Sequence, residues 1–268
     1  MRQLLIAGCG DLGQRLALRL AGQDWEVTGL RRQPARLDPA IKPVAADLLD
    51  PATLRAVAGD WDAIIYQATP GERSPEAYRA AYVTGLTHLL ASARAARLIF
   101  VSSTAVYGQD NGEWVDEHSP TEPASFSGQV LLEAEAITAR HDGQVVRFAG
   151  IYGPGREYLI RSVRSGQARC RQHPPQWTNR IHADDCAGVL QHLLELEQIE
   201  GIYCGSDSRP APRCEVLNWL ATELGLPAPG SAAGDEGQGK RVSNQRLIAS
   251  GFQFQYPDYH SGYRTLLT

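Results

Sequence analysis

The residues with the most evident chemical use are Gly8-Cys9-Gly10-Asp11-Leu12-Gly13, a G-x-G-x-x-G spacing. A turn of this kind cradles a diphosphate. Gly8 permits the tight turn, Gly10 lets backbone amides approach the anion, and Gly13 allows a helix to pack closely on a strand. The helix that starts there offers its unpaired N–H groups and the positive end of its dipole. The elements needed to position such a turn flank it. Gln3–Ala7 is an apolar run that reads as a buried parallel strand, and Leu12, Leu16, Ala17 and Leu20 fall on one face of a helix. Strand, glycine turn and helix predict a dinucleotide site built around Gly8, Gly10, Asp11, Leu12 and Gly13. The plainer alternative is a glycine turn that binds nothing.

The second strand, Trp25–Leu30, ends about 20 residues beyond the glycines, where an NAD site places an acidic residue on the adenosine ribose. This chain has Leu30-Arg31-Arg32 there. Two guanidinium groups can hold a 2′-phosphate, which favours NADP, with NAD as the other candidate. Solvated arginines at a strand end are the alternative. Further strands are expected at Pro43–Leu48, Asp62–Pro70, Leu98–Ser103, Gln144–Phe148 and Gly201–Gly205. Between them lie a short helix at Pro51–Ala58 and a long one from Ser74 or Pro75 through Ala95. This alternation predicts right-handed βαβ units and a parallel sheet.

Composition narrows the class. A chain of 268 residues, 43% hydrophobic, can bury a full core, and its net charge of −4 argues against nucleic-acid or anionic-membrane binding. No run has the apolar length of a membrane span, so a cytoplasmic protein is expected. Cys9, Cys170, Cys186, Cys204 and Cys214 are odd in number and lack a C-x-x-C pair, which fits reduced thiols better than disulfides or zinc. His182, Asp184 and Asp185 fit a helix start at Cys186, capped by an aspartate, better than a metal cluster. Pro227–Gly239 reads as a loop, and Lys240 and Arg241 at its end suit a phosphate-bearing substrate or plain solvation. Asn244 is expected to cap a short helix from Gln245 to Ser250.

Three further motifs carry a family resemblance. Val101-Ser102-Ser103-Thr104-Ala105-Val106-Tyr107-Gly108, Arg147-Phe148-Ala149-Gly150-Ile151-Tyr152-Gly153-Pro154-Gly155 and Asn179-Arg180-Ile181-His182-Ala183-Asp184-Asp185 follow the glycine turn in order. Together they resemble the extended short-chain dehydrogenase/reductases, the epimerase/dehydratase group. The resemblance implies that Asp47 and Leu48 sit beside the adenine, that Ala68 and Thr69 lie along the ribose and pyrophosphate, and that Ser102 and Ser103 approach the nicotinamide. It also implies a small-molecule substrate, a nucleotide sugar by family habit, and a helix-pair homodimer.

The same resemblance exposes a departure. The family's Tyr-x-x-x-Lys pair, in which the ammonium lowers the phenol's pKa, aligns with Ser127 and Leu131. Lys42 and Lys240 are the only lysines, with Asp38 and Glu236 four places before them. Ser103, Tyr82 and Tyr107 are the candidates for catalytic work in place of that pair. The expected fold is α/β, a doubly wound parallel (Rossmann) sheet with a small C-terminal substrate lobe. Residues 1–150 plus 180–205 would bind the dinucleotide, and residues 151–179 plus 206–268 would form the lobe. The leading function is an atypical NAD(P)-binding epimerase/dehydratase-like oxidoreductase; the alternative is a non-catalytic NADP-binding regulator or sensor.

Overall fold

A seven-stranded sheet with buried apolar central strands organises the computed structural model, which describes residues 1–232 and 237–267. Its strands are β1 (Arg2–Ala7), β2 (Trp25–Arg31), β3 (Lys42–Ala45), β4 (Gly59–Tyr66), β5 (Ala93–Ser103), β6 (Gln144–Phe148) and β7 (Ile202–Gly205). They lie in the order β7-β6-β5-β4-β1-β2-β3. β1 runs parallel to β2 and β4, β2 to β3, and β4 to β5. Chain direction across the sheet therefore reverses at β1, and the loops after β1 and β4 part there. This is the doubly wound α/β fold expected from the alternation of strands and helices, and such crevices are where α/β sheets bind ligands.

The chain divides into two compact units. The first comprises Met1–Val106, Thr121–Arg147 and Ala187–Tyr203. Leu4, Leu5 and Ile6 of β1, Ile64 and Ile65 of β4 and Phe100 of β5 are fully buried. Helix α1 (Asp11–Leu20) buries Leu12, Gly13, Leu16, Ala17 and Leu20.

The helix expected from Ser74 or Pro75 through Ala95 is instead broken. Ser74 Oγ accepts from Ala77 N and starts α2 (Pro75–Arg79); a π turn (Ala80–Thr84) follows, then α3 (Gly85–Ser92). The π turn coincides with a contact from β4. The buried Tyr66 hydroxyl donates to the carbonyl of Ala81, and Gly85 permits the approach because a Cβ there would lie 2.6 Å from that hydroxyl. The helix stops before Ala93 because Ala93–Arg97 pairs with Gly59–Ala63, so β5 begins five residues before the expected Leu98. Arg97 then donates to the carbonyls of Leu193, Leu194 and Leu196, contacts that a helical residue would forgo. The helix expected at Pro51–Ala58 is a 3-10 segment, Thr53–Val57. β3 and β4 end earlier than expected, at Ala45 and Tyr66, which frees Asp47, Leu48, Ala68 and Thr69 for loops.

The second unit comprises Tyr107–Pro120, Phe148–Cys186 and Cys204–Thr268. Its core gathers Tyr152, Ile160 and Val163 with Val216, Leu217, Leu220, Tyr259 and Tyr263. The elements are α5 (Tyr158–Arg164), α6 (Ala183–Glu195, which continues into the first unit), α7 (Arg213–Glu223), α8 (Gln245–Ala249) and α9 (Tyr259–Arg264).

Several expectations are corrected here. Cys170 and Cys214 form a disulfide inside the apolar cluster, so not all the thiols are reduced; the 44-residue separation carries no spacing signature. Helix α6 starts at Ala183, which places Asp184 and Asp185 in its first turn. Asp185 accepts from the N–H groups of Gln255 and Tyr256 and so anchors the C-terminal segment. Asn244 does not cap α8 with its side chain; its amide donates to Ser206 O and Ser208 Oγ. Lys240 and Arg241 belong to a strand, Gly239–Val242, that pairs in parallel with Asn111–Val115. Lys240 Nζ donates to Tyr107 O, and the Arg241 guanidinium lies 5.2 and 4.8 Å from the rings of Trp114 and Trp177. Within the expected loop, Gly230–Ser231 pairs with Arg169–Cys170 and residues 233–236 lie outside the described residues.

Candidate functional site

The glycine turn fits its expected geometry. Gly8 has φ +79°, and a Cβ there would lie 2.5 Å from Ala68 Cα, so conformation and space both demand glycine. At Gly13 a Cβ would overlap the Gln67 carboxamide and come within 2.9 Å of Ile6 Cγ2, so α1 can sit this close to β1 only without one. Gly10 is different. A Cβ there would meet only Gly8 O, at 3.8 Å, because the residue faces open space.

That space is a cavity of about 670 Å³ within the first unit, lined by loops after β1, β2, β3 and β4. Gly8, Gly10, Arg31, Arg32, Asp47, Leu48, Ala68 and Thr69, all singled out from sequence, line it together. Gln33, Leu49, Pro70 and Gly71 also line it, as does an alanine face, Ala77, Ala80 and Ala81. The signal for that face was present as small residues at helical spacing just after β4. Gly10 stands at the N-cap of α1, where no side chain caps the helix among the described residues. The first turn of α1 thus leaves backbone donors for an anion at the cavity. Arg31 sits on the same wall, with Nη1 donating to Cys9 O at 3.4 Å. Asp47 Oδ1 accepts from Leu49 N, which fixes the loop after β3. A glycine face, an uncapped helix start and two arginines fit a nicotinamide dinucleotide.

Other singled-out residues lie off that lining. Asp11 pairs with Arg15 along α1, Nε to Oδ1 3.1 Å, while Leu12 and Gly13 pack inward. Ser102 is buried, and its hydroxyl donates to Glu135 Oε1 at 2.6 Å. Glu135 in turn receives Arg147 Nε at 3.0 Å and Nη2 at 2.6 Å, forming a buried ion pair between β6 and α4 (Phe126–Arg140). Ser103 Oγ accepts from Ala105 N, which leaves its own O–H to donate elsewhere. Tyr82 packs on Tyr78 and Phe100 at centroid distances of 5.5 and 6.2 Å, and burial pushes its phenol up to about 12. Tyr107, in the second unit, is buried with its hydroxyl donating to Asp116 O at 2.7 Å and 3.1 Å from Cys204 Sγ. Ser127 and Leu131 are both buried on α4, and Ser127 Oγ lies 3.1 Å from the capping Ser125 Oγ.

Comparison with known proteins agrees with this architecture. Residues 4–203 match the model of the NAD dependent epimerase/dehydratase family. Protein YeeZ of Escherichia coli (strain K12) is 32% identical over 96% of this chain and 97% of its own. The 3-diazoavenalumate denitrifying reductase of a Streptomyces species is 29% identical over 85% of this chain and 83% of its own. Among solved structures, one described as an NAD-dependent epimerase/dehydratase from Methylobacillus flagellatus superposes with a TM-score of 0.85 at 40% identity, covering 99% of this chain and 97% of that one. Human epimerase family protein SDR39U1, solved with NADPH, shares the fold at TM-score 0.80 and 21% identity, over 100% of this chain and 99% of that one. The chain belongs to the NAD-dependent epimerase/dehydratase family.

Proposed function

From that family membership we propose that the protein is a nicotinamide-dinucleotide oxidoreductase that prefers NADP and acts on a small polar substrate. One observation carries the reading: eight residues chosen from sequence for cofactor contact line one cavity at the sheet's switch point. Gly8, Gly10 and the first turn of α1 take the diphosphate. Arg31 and Arg32 take the 2′-phosphate, and Asp47 and Leu48 flank the adenine. Ala68 and Thr69 follow the cofactor away from the glycine turn. The bound group supplies hydride transfer at its nicotinamide.

Residues 1–150 plus 180–205 bind the dinucleotide in this reading, and 151–179 plus 206–268 shape the substrate site. Ser103 donates its free O–H to a substrate oxygen. Tyr82 is the candidate base in place of the missing pair, and the burial that raises its phenol to about 12 weighs against that role. Tyr107 has its hydroxyl engaged with Asp116 O and serves to hold the chain just after Ser103. One solved structure of like fold, MoeE5, in complex with UDP-glucuronic acid and with UDP-glucose, supports a nucleotide-sugar substrate class. Family membership favours an enzyme over a binding-only sensor.

Calorimetric titration with NADP+ and NAD+ tests the reading. NADP+ should bind the wild type more tightly, and the double change Arg31→Ala with Arg32→Ala should remove roughly 10- to 100-fold of that preference, given about 1.5–3 kcal/mol for hydrogen bonds to charged groups. Equal affinities in the wild type would remove the NADP assignment. Absence of binding to both would remove the cofactor reading altogether.

A further inference from the structure

The helix between β4 and β5 changes register where it meets the cavity. Gly85 N donates to Ala80 O, five residues back, where an α-helix would use Ala81 O. Ala81 O accepts instead from the Tyr66 hydroxyl at the end of β4. Tyr66 is fully buried, and burial pushes its phenol up, so it stays a neutral donor. Gly85 admits it, since a Cβ there would lie 2.6 Å from the hydroxyl oxygen.

The two halves of this helix are held unequally. α3 buries Leu86 and Leu89 completely, and His88 Nδ1 lies 3.0 Å from the carbonyl of Leu48, a residue of the cavity wall. No residue of α2 is buried. A return to the α register would therefore move α2 rather than α3. Because a π turn spends one residue more than an α turn, α2 would advance by one position, roughly 100° of rotation. Tyr78 would take the place of Ala77, Ala81 that of Ala80, and Tyr82 that of Ala81. Two phenols would then enter a cavity that Ala77, Ala80 and Ala81 now line. In the π register those rings pack elsewhere, Tyr78 on Phe126 and Tyr82 on Phe100, at centroid distances of 5.3 and 6.2 Å.

We propose that Tyr66 is a positioning residue for the dinucleotide: its hydroxyl holds the π register, and the register keeps alanine rather than tyrosine on the cavity wall. This rests on the reading that the cavity takes a nicotinamide dinucleotide. The stacked rings favour the same register, but the hydroxyl occupies the one carbonyl that an α turn would claim. Tyr66 acts without touching the ligand, through the backbone of a residue that lines the cavity.

The test measures NADP+ affinity by calorimetry for wild type, Tyr66→Phe, Gly85→Ala and the double variant. Tyr66→Phe removes the donor to Ala81 O, and affinity should fall about 10-fold, in proportion to the fraction of protein left in the binding register. Gly85→Ala should lose about as much, because its Cβ displaces the same hydroxyl. The double variant should stay within about twofold of Tyr66→Phe alone, since the collision with the hydroxyl has gone. A crystal structure of Tyr66→Phe should show Gly85 N donating to Ala81 O. Unchanged affinity in either single variant, losses that multiply in the double, or a retained bond from Gly85 N to Ala80 O would each overturn the proposal. If Tyr66→Phe fails to fold, Gly85→Ala decides by the same two readouts, affinity and register. Failure of both to fold would overturn it, because the contact would then hold the sheet rather than the register. Wild type that binds neither NADP+ nor NAD+ would instead remove the cofactor reading, while the crystal structure would still report the register.

Discussion

Two buried polar clusters, one in each unit, contain an arginine and an acid and treat them in opposite ways. In the first unit Ser102, Glu135 and Arg147 satisfy one another through short hydrogen bonds between β5, α4 and β6. In the second unit Arg180, Asp207 and Tyr152 are equally buried, at 4%, 0% and 4% exposure. Yet Arg180 Nη1, Asp207 Oδ2 and Tyr152 OH have no hydrogen-bond partner among the described residues. Arg180 turns to Thr178 and lies over the Tyr259 ring at 5.2 Å, while Asp207 Oδ1 accepts from Arg209 N. Burial raises Asp207 to about 7; Arg180 and the Arg209 N–H oppose the rise, and Asp258 and Asp185 add to it. A closed network fixes backbone with little dependence on solution conditions. An open one makes its surroundings respond to them.

Breaking the closed cluster should have the largest effect. Arg147→Met leaves Glu135 buried without its cation, and urea unfolding should show a loss of about 3–5 kcal/mol. A loss below about 1 kcal/mol would mean that the pair is not coupled to the core. The open cluster predicts a pH effect of moderate size. Burial pushes folded Asp207 up to about 7 from the ordinary 3.8, so the folded state binds more protons between those values and stability falls as pH rises through that interval. Between pH 5 and 8 the decline should be roughly 3 kcal/mol, at about 1.36 kcal/mol per pH unit until Asp207 is ionised. Asp207→Asn should flatten that slope, and an unchanged slope in the variant would assign the dependence elsewhere. The smallest effect belongs to Ser102→Ala, which removes one of several bonds to Glu135 and should cost about 1–2 kcal/mol by the same unfolding assay.

The first unit was legible because its signals are local. The glycine turn, the strand before it and the helix after it occupy one short stretch, and Arg31 follows at the end of the next strand. Its misreadings arose where distant contacts overrule local preference. Ala93–Arg97 looks helical by composition, but pairing with Gly59–Ala63 makes it strand, and the Tyr66 hydroxyl turns the preceding helix into a π turn. The second unit depends on distant contacts throughout. No spacing announces Cys170 with Cys214, and the carboxylate of Asp185 reads as a cap until the N–H groups of Gln255 and Tyr256 arrive 70 and 71 residues later.

The pairing of Asn111–Val115 with Gly239–Val242 has a consequence for biosynthesis. The earlier strand leaves the ribosome well over a hundred residues before its partner, a wait of about 10 s at typical rates of elongation. Through that wait its hydrogen-bonding edge lacks its native neighbour and remains open to other chains. The glycine turn's flanking strand β1 finds its neighbours β2 and β4 early, although Arg2 and Arg19 wait for Glu195 and Gln191. Synthesis therefore presents the nascent chain with an early-paired sheet centre and a late edge to protect, and slowed translation of the last third should promote aggregation.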